Sequence, residues 1–391
     1  MPGRAVLVLS LAAFASAAAL RATDPLLPLI AADFDTTPGG ASAVITGFAV
    51  AYGLLQLVNG PIGERIGKYR MVFWVTAISA FGNLACALAP SLATLVAARF
   101  LTGATVGAIV PLAMAWIGDA VPYERRQAVL ARFLIGHMFG VAFATSASGF
   151  LGERYGWQAM FYLLAVLYAV TALMLQLELR TNPQTRAAQP GAGGIGAAFA
   201  RMAALTRLPW VRVILAIVFL EGALFYGALA FVALDLHQRF GLSLGASGSM
   251  VAAFALGGLL YAAGAGRLVP RLGERGLVLG GGVLIGLGFL GLVLAPSPGW
   301  AFPCIVALGV GLYNMLIVDQ DMAGVDAVKK SWEMTKGHKL SIFVLMILQG
   351  LCVLAGELAC LVGVLVAIPI VAVANAYVYL KLNGEEPRLP A

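Results

Sequence analysis

The sequence predicts an all-α membrane protein of twelve transmembrane helices in two six-helix halves, with the last two helices atypical. Composition is the first ground. Of 391 residues, 61% are hydrophobic and 11% charged, and mean hydropathy is +0.93, whereas soluble domains carry roughly 25% charged residues. One water-soluble core could not hide that much apolar surface. The second ground is length: apolar residues come in runs of about 20 or more, enough to cross a bilayer core, separated by charged or Pro/Gly breaks. The third is a repeat. The charged turn Gly60-Pro-Ile-Gly-Glu-Arg-Ile-Gly-Lys-Tyr-Arg70 has a weaker copy later, where Gly266, Arg271 and Gly273 stand as Gly60, Arg65 and Gly67 do. A loop pattern repeated half a chain apart suggests two parallel halves.

The apolar runs place spans near 6–31, 41–62, 71–90, 93–117, 127–150 and 157–179, which make an N-terminal half over 1–179. Residues 5–20, with Ala-Ser-Ala at 15–17, have signal-peptide character, but the run continues to Ile30 and is long enough to span. A polar segment with Gly and Pro over 180–208 reads as a cytoplasmic linker; it carries Arg180, Arg186, Arg201 and Arg207. Spans near 209–234, 245–265, 277–295 and 300–318 supply the next four helices. The atypical segment 319–391 then offers an interfacial helix over 319–339 and two spans near 340–356 and 360–381. Val325, Val328 and Trp332 fall at helical spacing among lysines, the pattern of a helix lying at the membrane surface. Twelve spans put both termini in the cytoplasm.

The formal charge of +7 does not point to nucleic acid. Of the 25 Lys and Arg, all but Arg21, Arg99, Arg154 and Arg239 fall in segments assigned to the cytoplasm, so the basicity is an orientation signal. The four cysteines lie in apolar spans without metal-ligand spacing and read as small buried hydrophobes. No metal and no cofactor is expected. Zinc-protease, Gly-x-Ser-x-Gly and phosphate-loop motifs are absent from the sequence, which argues against an enzyme and against direct ATP drive.

Charges inside a bilayer cost about 2.5–3.5 kcal/mol each on insertion scales, so each needs a reason. Four stand out: Arg21, Asp24, Arg99 and Glu221. Asp24 and Arg99 each lie about seven residues, or about 10 Å, below the same membrane surface, which permits a pair if their helices adjoin. Pro25 and Pro28 break the helix at that level and free backbone carbonyls. A carboxylate beside a cation suits proton coupling, and a structural ion pair is the competing reading. Glu221 falls mid-span in the seventh helix, with Phe225 and Tyr226 nearby as pocket lining or packing. His137 is a weaker proton-relay candidate. Gly103-x3-Gly107 and Gly136-x3-Gly140 have the small-residue spacing that lets helices approach closely.

The turn Gly60-x3-Glu64-Arg65-x-Gly67-Lys68-x-Arg70 resembles the loop 2–3 signature of the major facilitator superfamily, with Glu64 where the family has Asp. Arg99, Gly103 and Gly107 resemble its fourth-helix motif, and Asp24-Pro25…Pro28 the first-helix motif of its drug:proton antiporter branch. The antiporter Gly-Pro pair of the fifth helix is missing, with Ala144-Thr145 in its place; Gly149 and Gly152-Glu-Arg-Tyr-Gly-Trp157 fit. The resemblance holds to about Tyr313. Beyond it, 319–391 resembles an uncharacterised bacterial integral-membrane family, as a splice between families would.

The resemblance implies a secondary transporter of a bacterial inner membrane, working by alternating access as a monomer. Its partners would be protons, the lipid bilayer and a small hydrophobic or amphipathic substrate exported from the cell. Asp24, Arg99, Glu221 and Arg21 would serve substrate and proton coupling. Gly60, Glu64, Arg65, Gly67, Lys68 and Arg70 would latch the cytoplasmic side, with Gly266, Arg271 and Gly273 as the repeat loop. A sugar-type carrier or uniporter, or a non-transporting scaffold disabled by its altered C-terminus, are the alternatives.

Overall fold

The computed structural model describes residues 3–186, 204 and 206–318; the expected interfacial helix and last two spans lie outside them. Among the described residues every element is helical. The first span is broken in two. Helix α1 (Gly3–Arg21) gives way to a 3₁₀ turn (Asp24–Leu26) and then α2 (Leu27–Asp33). Pro25 and Pro28 have no N–H for the ladder, so the break falls where they stand. A short α3 (Pro38–Ala41), started by the Thr37 side chain accepting the Gly40 N–H, leads into α4 (Ala43–Ile66).

Gly67 alone separates α4 from α5 (Lys68–Ala87), with φ 96° and ψ 124° that a side chain would resist. The expected latch loop is therefore mostly helical, Gly60 to Ile66 ending α4 and Lys68 to Arg70 opening α5. The fourth span is also interrupted, as α6 (Leu92–Val106) and α7 (Ile109–Ala120). Ser91 and Thr94 form a reciprocal cap at the start of α6. Helices α8 (Tyr123–Tyr155) and α9 (Gln158–Thr181) complete the expected first half.

The long helices that follow among the described residues are α10 (Pro209–Phe240), α11 (Leu244–Val293) and α12 (Pro298–Val318). Here the structure corrects the sequence reading. The spans expected near 245–265 and 277–295 belong to one helical run of 50 residues, so Gly266, Arg271 and Gly273 sit on helical backbone and not in a loop. The copy lacks the feature that turns the chain in the original: no glycine there has the positive φ of Gly67. The described residues divide between two compact units, one holding those of 3–266 with 283–313, the other 267–282 with 314–318.

Within the first unit the apolar side chains gather into two clusters. One draws on α1 to α9 and includes Leu9, Leu27, Phe48, Leu95, Phe133, Phe161 and Tyr168. The other draws on α10 to α12, around Phe225, Leu236, Phe254 and Ile305. Glycines set the closest helix crossings. A methyl group at Gly103 would land on the Phe48 carbonyl, and one at Gly107 would lie 2.5 Å from the Tyr52 carbonyl, so α6 and α4 meet backbone to backbone. Gly136 and Gly140 do the same for α8 against Ser10 and Phe14 of α1. The small-residue spacing read from the sequence has this use.

Outward surfaces are apolar. Phe81 is 73% exposed, Phe219 72% and Leu224 71%, side chains that water would not favour and lipid would. Seven helices among the described residues are long and apolar enough to cross a membrane.

Candidate functional site

The break in the first span collects the charges. Arg21 ends α1, and its Nη1 donates to Asp24 Oδ2 at 3.0 Å, with both side chains buried. Asp24 and Arg99, which their equal depth would allow to pair, form no ion pair. Asp24 pairs with Arg21, three residues away on its own segment, which the turn at Thr23 brings within reach. Arg99, fully buried on α6, donates instead from Nη1 to the Ala19 carbonyl at 3.1 Å. The last four carbonyls of a helix have no intrahelical donor, and a cation is favoured at that end. Arg99 thus caps the broken end of α1, while Asp24 lies within its electrostatic reach.

Aromatic rings complete the enclosure. The Arg99 guanidinium lies 3.9 Å from the centre of the Phe48 ring of α4 and 5.8 Å from that of Phe161 on α9. Arg21 lies 4.8 Å from the ring centre of Tyr226 on α10. A desolvated cation over an aromatic face gains about 2 kcal/mol or more, which offsets part of the cost of holding Arg99 out of water. Asp24 Oδ1 and Arg99 Nε and Nη2 are buried without a hydrogen-bond partner. The site therefore has a spare acceptor and two spare donor groups. It can exchange a proton, or take a ligand that carries both kinds of group.

Sequence reasoning named Arg21, Asp24 and Arg99, which the structure brings together. The aromatic pair Phe225 and Tyr226, read together from the sequence, is separated by the structure. Phe225 is buried against Phe254 and Phe289, as core packing, whereas Tyr226 is 43% exposed and meets Arg21. Glu221 falls on α10, five residues before Tyr226, and its side chain lies outside the described residues. His137 is half-buried on α8, with Nδ1 lacking a partner.

Of the expected latch residues, Lys68 forms an ion pair with Asp119 at the end of α7, and Glu64 and Arg65 are exposed. Arg70 lines a cavity with residues of α9. Arg271 is exposed. Asp119 was not singled out from the sequence, although it stands at the same end of its span as the lysine it meets.

A second polar contact joins the two clusters at the Tyr155 end of α8. Glu153 accepts the Leu244 N–H at 2.6 Å through Oε1 and the Gly245 N–H at 3.3 Å through Oε2. These are the first amides of α11, whose donors have no partner within the helix. Around it the backbones touch: a methyl at Gly149 would meet the Leu244 carbonyl, and one at Gly248 the Thr145 carbonyl. Among the described residues no group of three His, Cys, Asp or Glu stands close enough to hold a metal ion.

Comparison with known proteins agrees with this architecture. The family model for the Major Facilitator Superfamily matches residues 9–325. The chain is 26% identical to an uncharacterised transporter of that type from Bacillus subtilis, YwfA, over 75% of this chain and 69% of that one. It is 26% identical to the multidrug export protein EmrB of Haemophilus influenzae over 40% of this chain and 31% of that one. It is 27% identical to the methylenomycin A resistance protein of Streptomyces coelicolor, over 40% and 34% respectively. The chain thus spans about a third of the length of these two relatives. A crystal structure of the peptide transporter POT superposes with a TM-score of 0.61 over 81% of this chain and 80% of that one, at 17% identity, a likeness of fold. The chain is a multi-pass membrane transporter, not an enzyme, and it belongs to the Major Facilitator Superfamily.

Proposed function

We propose that this transporter exports a small hydrophobic or amphipathic compound from a bacterial cell across the inner membrane, driven by protons moving inward. Both termini are cytoplasmic on this reading, and the transport unit is a monomer. The observation that carries it is the buried Arg21–Asp24 ion pair at the helix break, set against Tyr226.

The chemistry follows from the pair. While Asp24 is ionised, Arg21 is balanced. When Asp24 takes a proton, Arg21 becomes an unpaired cation in a dry site, which costs several kcal/mol. The cation must then gain water or a new partner, and the group it already touches beyond the first cluster is Tyr226. A proton on Asp24 therefore favours a different arrangement of α1 against α10, and Arg99 holds the frayed end of α1 while this occurs. The partnerless Asp24 Oδ1 suits it to accept that proton.

The Glu153 contacts and the glycine crossings seal the Tyr155 end of α8, which this orientation puts outside. The conformation fits a carrier closed to the outside, with Glu153 as the outer catch and Lys68–Asp119 stiffening the cytoplasmic end of the first half. Opening the outer side would break two charge-assisted bonds and part the helices at Gly149 and Gly248.

Proton flux in everted membrane vesicles tests this. A pH-sensitive dye would report proton release on adding lipophilic cations, antibiotics or sugars, with Asp24→Asn alongside. Release by at least one lipophilic compound in the native chain, abolished in the variant, is the expected result. Flux of a compound that persists unchanged in Asp24→Asn would remove protons and Asp24 from the account and leave a uniport carrier. A sugar-type substrate would show as release by sugars alone.

A further inference from the structure

The first helical half carries a second site, remote from the helix break. A cavity of about 640 Å³ lies where the start of α5 meets the end of α9, lined by Arg70, Phe73, Trp74, Gln176, Leu179, Arg180 and Arg186. We propose that it binds the headgroup of an anionic phospholipid.

Three observations support this. The lining is one-sided in charge: three arginines and no carboxylate. Arg70 and Arg180 make no ion pair among the described residues, and the nearest acid in sequence, Glu178, is buried and engaged with Asn182 and Arg4. Three cations gathered without a counter-charge repel one another, and a phosphate anion relieves that repulsion. Arg186 is held in place from behind, its Nε donating to the Leu179 carbonyl at 2.5 Å and its Nη2 to the Arg180 carbonyl. The basic group is thus partly built in advance.

The second observation is height. Trp74 is 51% exposed and lies tilted at 56° beside Phe73, with ring centres 5.0 Å apart. It lies one helical turn inward from Arg70, the level at which tryptophans mark the boundary of the hydrocarbon. Phosphate groups lie just above that boundary.

The third separates a lipid from a soluble phosphate. Below Trp74 the exposed side chains of α5 continue as Ile78 and Phe81, and those of α9 run as Leu177 and Leu173, each at helical spacing. Two apolar tracks lead away from one basic pocket, a match to a phosphate carrying two acyl chains. A soluble phosphate would have no use for them. The shared chemistry is the phosphate; the tracks choose its source.

Native mass spectrometry of the full chain, stripped of lipid and then titrated, tests the proposal. The probes are phosphatidylglycerol, phosphatidylethanolamine, glycerol 3-phosphate and inorganic phosphate. Phosphatidylglycerol should bind at least about tenfold more tightly than phosphatidylethanolamine. The double variant Arg180→Gln, Arg186→Gln should weaken it about thirtyfold, from the gain that each basic residue supplies near an anionic surface. Because Arg186 also caps α9, Arg70→Gln on the other helix provides a second reading, with a severalfold loss. Trp74→Ala should lower phosphatidylglycerol affinity severalfold. Equal binding of the two lipids, or an unchanged affinity in both arginine variants, would overturn the proposal. Binding of inorganic phosphate or glycerol 3-phosphate as tight as that of the lipid would also overturn it, by making the pocket a soluble-anion site.

Discussion

The two apolar clusters differ in what they hide. The cluster of α1 to α9 encloses Arg21, Asp24, Asn59, Asn83, Arg99 and Glu178, together with a set of buried hydroxyls; in α10 to α12 the buried polar groups among the described residues are the hydroxyls of Ser247 and Tyr261. Polar groups in a bilayer must be satisfied within the protein, so the first region carries an internal network of hydrogen bonds and the second packs largely by shape. Yet both contribute to the same contacts. The second region offers a ring face, Tyr226, and a helix start, the amides of Leu244 and Gly245, to acids and bases held by the first. At these two contacts the first region supplies the charge and the second answers it with dipoles. A carrier can move such an interface without carrying a buried ion across it.

The strongest way to break this contrast is at the ion pair. Asp24→Asn should abolish proton-coupled flux and lower stability by about 3–5 kcal/mol, because Arg21 is left buried and unpaired. Thermal melts in detergent would measure the second effect. Arg21→Met with Asp24→Leu should recover most of the stability and none of the flux, which separates folding from coupling.

Next in size is Gly103→Val. It forces a side chain into the Phe48 carbonyl, and should cost about 2–3 kcal/mol in the same melts. Gly222 and Gly227 of α10 have open space around their Cβ positions, so Gly222→Ala should change the melt little. Equal sensitivity at Gly103 and Gly222 would end the claim that α6 crosses α4 tightly where α10 stands open; in the second region the matching close crossing is that of α11 and α12 at Gly257 and Gly309.

A smaller effect is expected at the outer catch. Glu153→Ala should speed labelling of a Ser247→Cys thiol from the outside severalfold, and Glu153→Gln should fall between, since an amide oxygen still accepts. Unchanged labelling in both would mean that the helix crossings alone hold that end shut. The smallest effect is at Tyr226. Tyr226→Phe keeps the ring face and should leave flux near native, while Tyr226→Leu should lower it about two- to fivefold, the scale of an exposed cation–π contact.

Much of the fold is legible in the sequence because its causes are local. Apolar runs mark the spans, Pro25 and Pro28 the break, and the spacing of Gly103 and Gly107 the close crossing with α4. The three charges at the break are legible because an arginine or aspartate amid apolar residues has few harmless explanations. Their pairing is not. Depth along a helix says how far two residues lie from the surface, and nothing about which way each side chain points. Depth alone matches Arg99 to Asp24, whereas the arginine serves the Ala19 carbonyl. Tyr226 over Arg21 and Glu153 on the start of α11 are also beyond reach, since each depends on the approach of segments about 90 residues apart or more. The repeat at Gly266 misleads in another way. Its glycines align by letter, and only the backbone shows that they do not turn the chain.

The Glu153 contact ends on main-chain amides, and that has a consequence for inheritance. Substitutions at Leu244 or Gly245 leave an N–H in place unless the new residue is proline, so drift on the receiving side cannot erase the donors. The carboxylate has no such protection. The two sides of this hydrogen-bonded contact would then age at different rates, the accepting side resting on a single codon, while the crossings around it depend on Gly149 and Gly248.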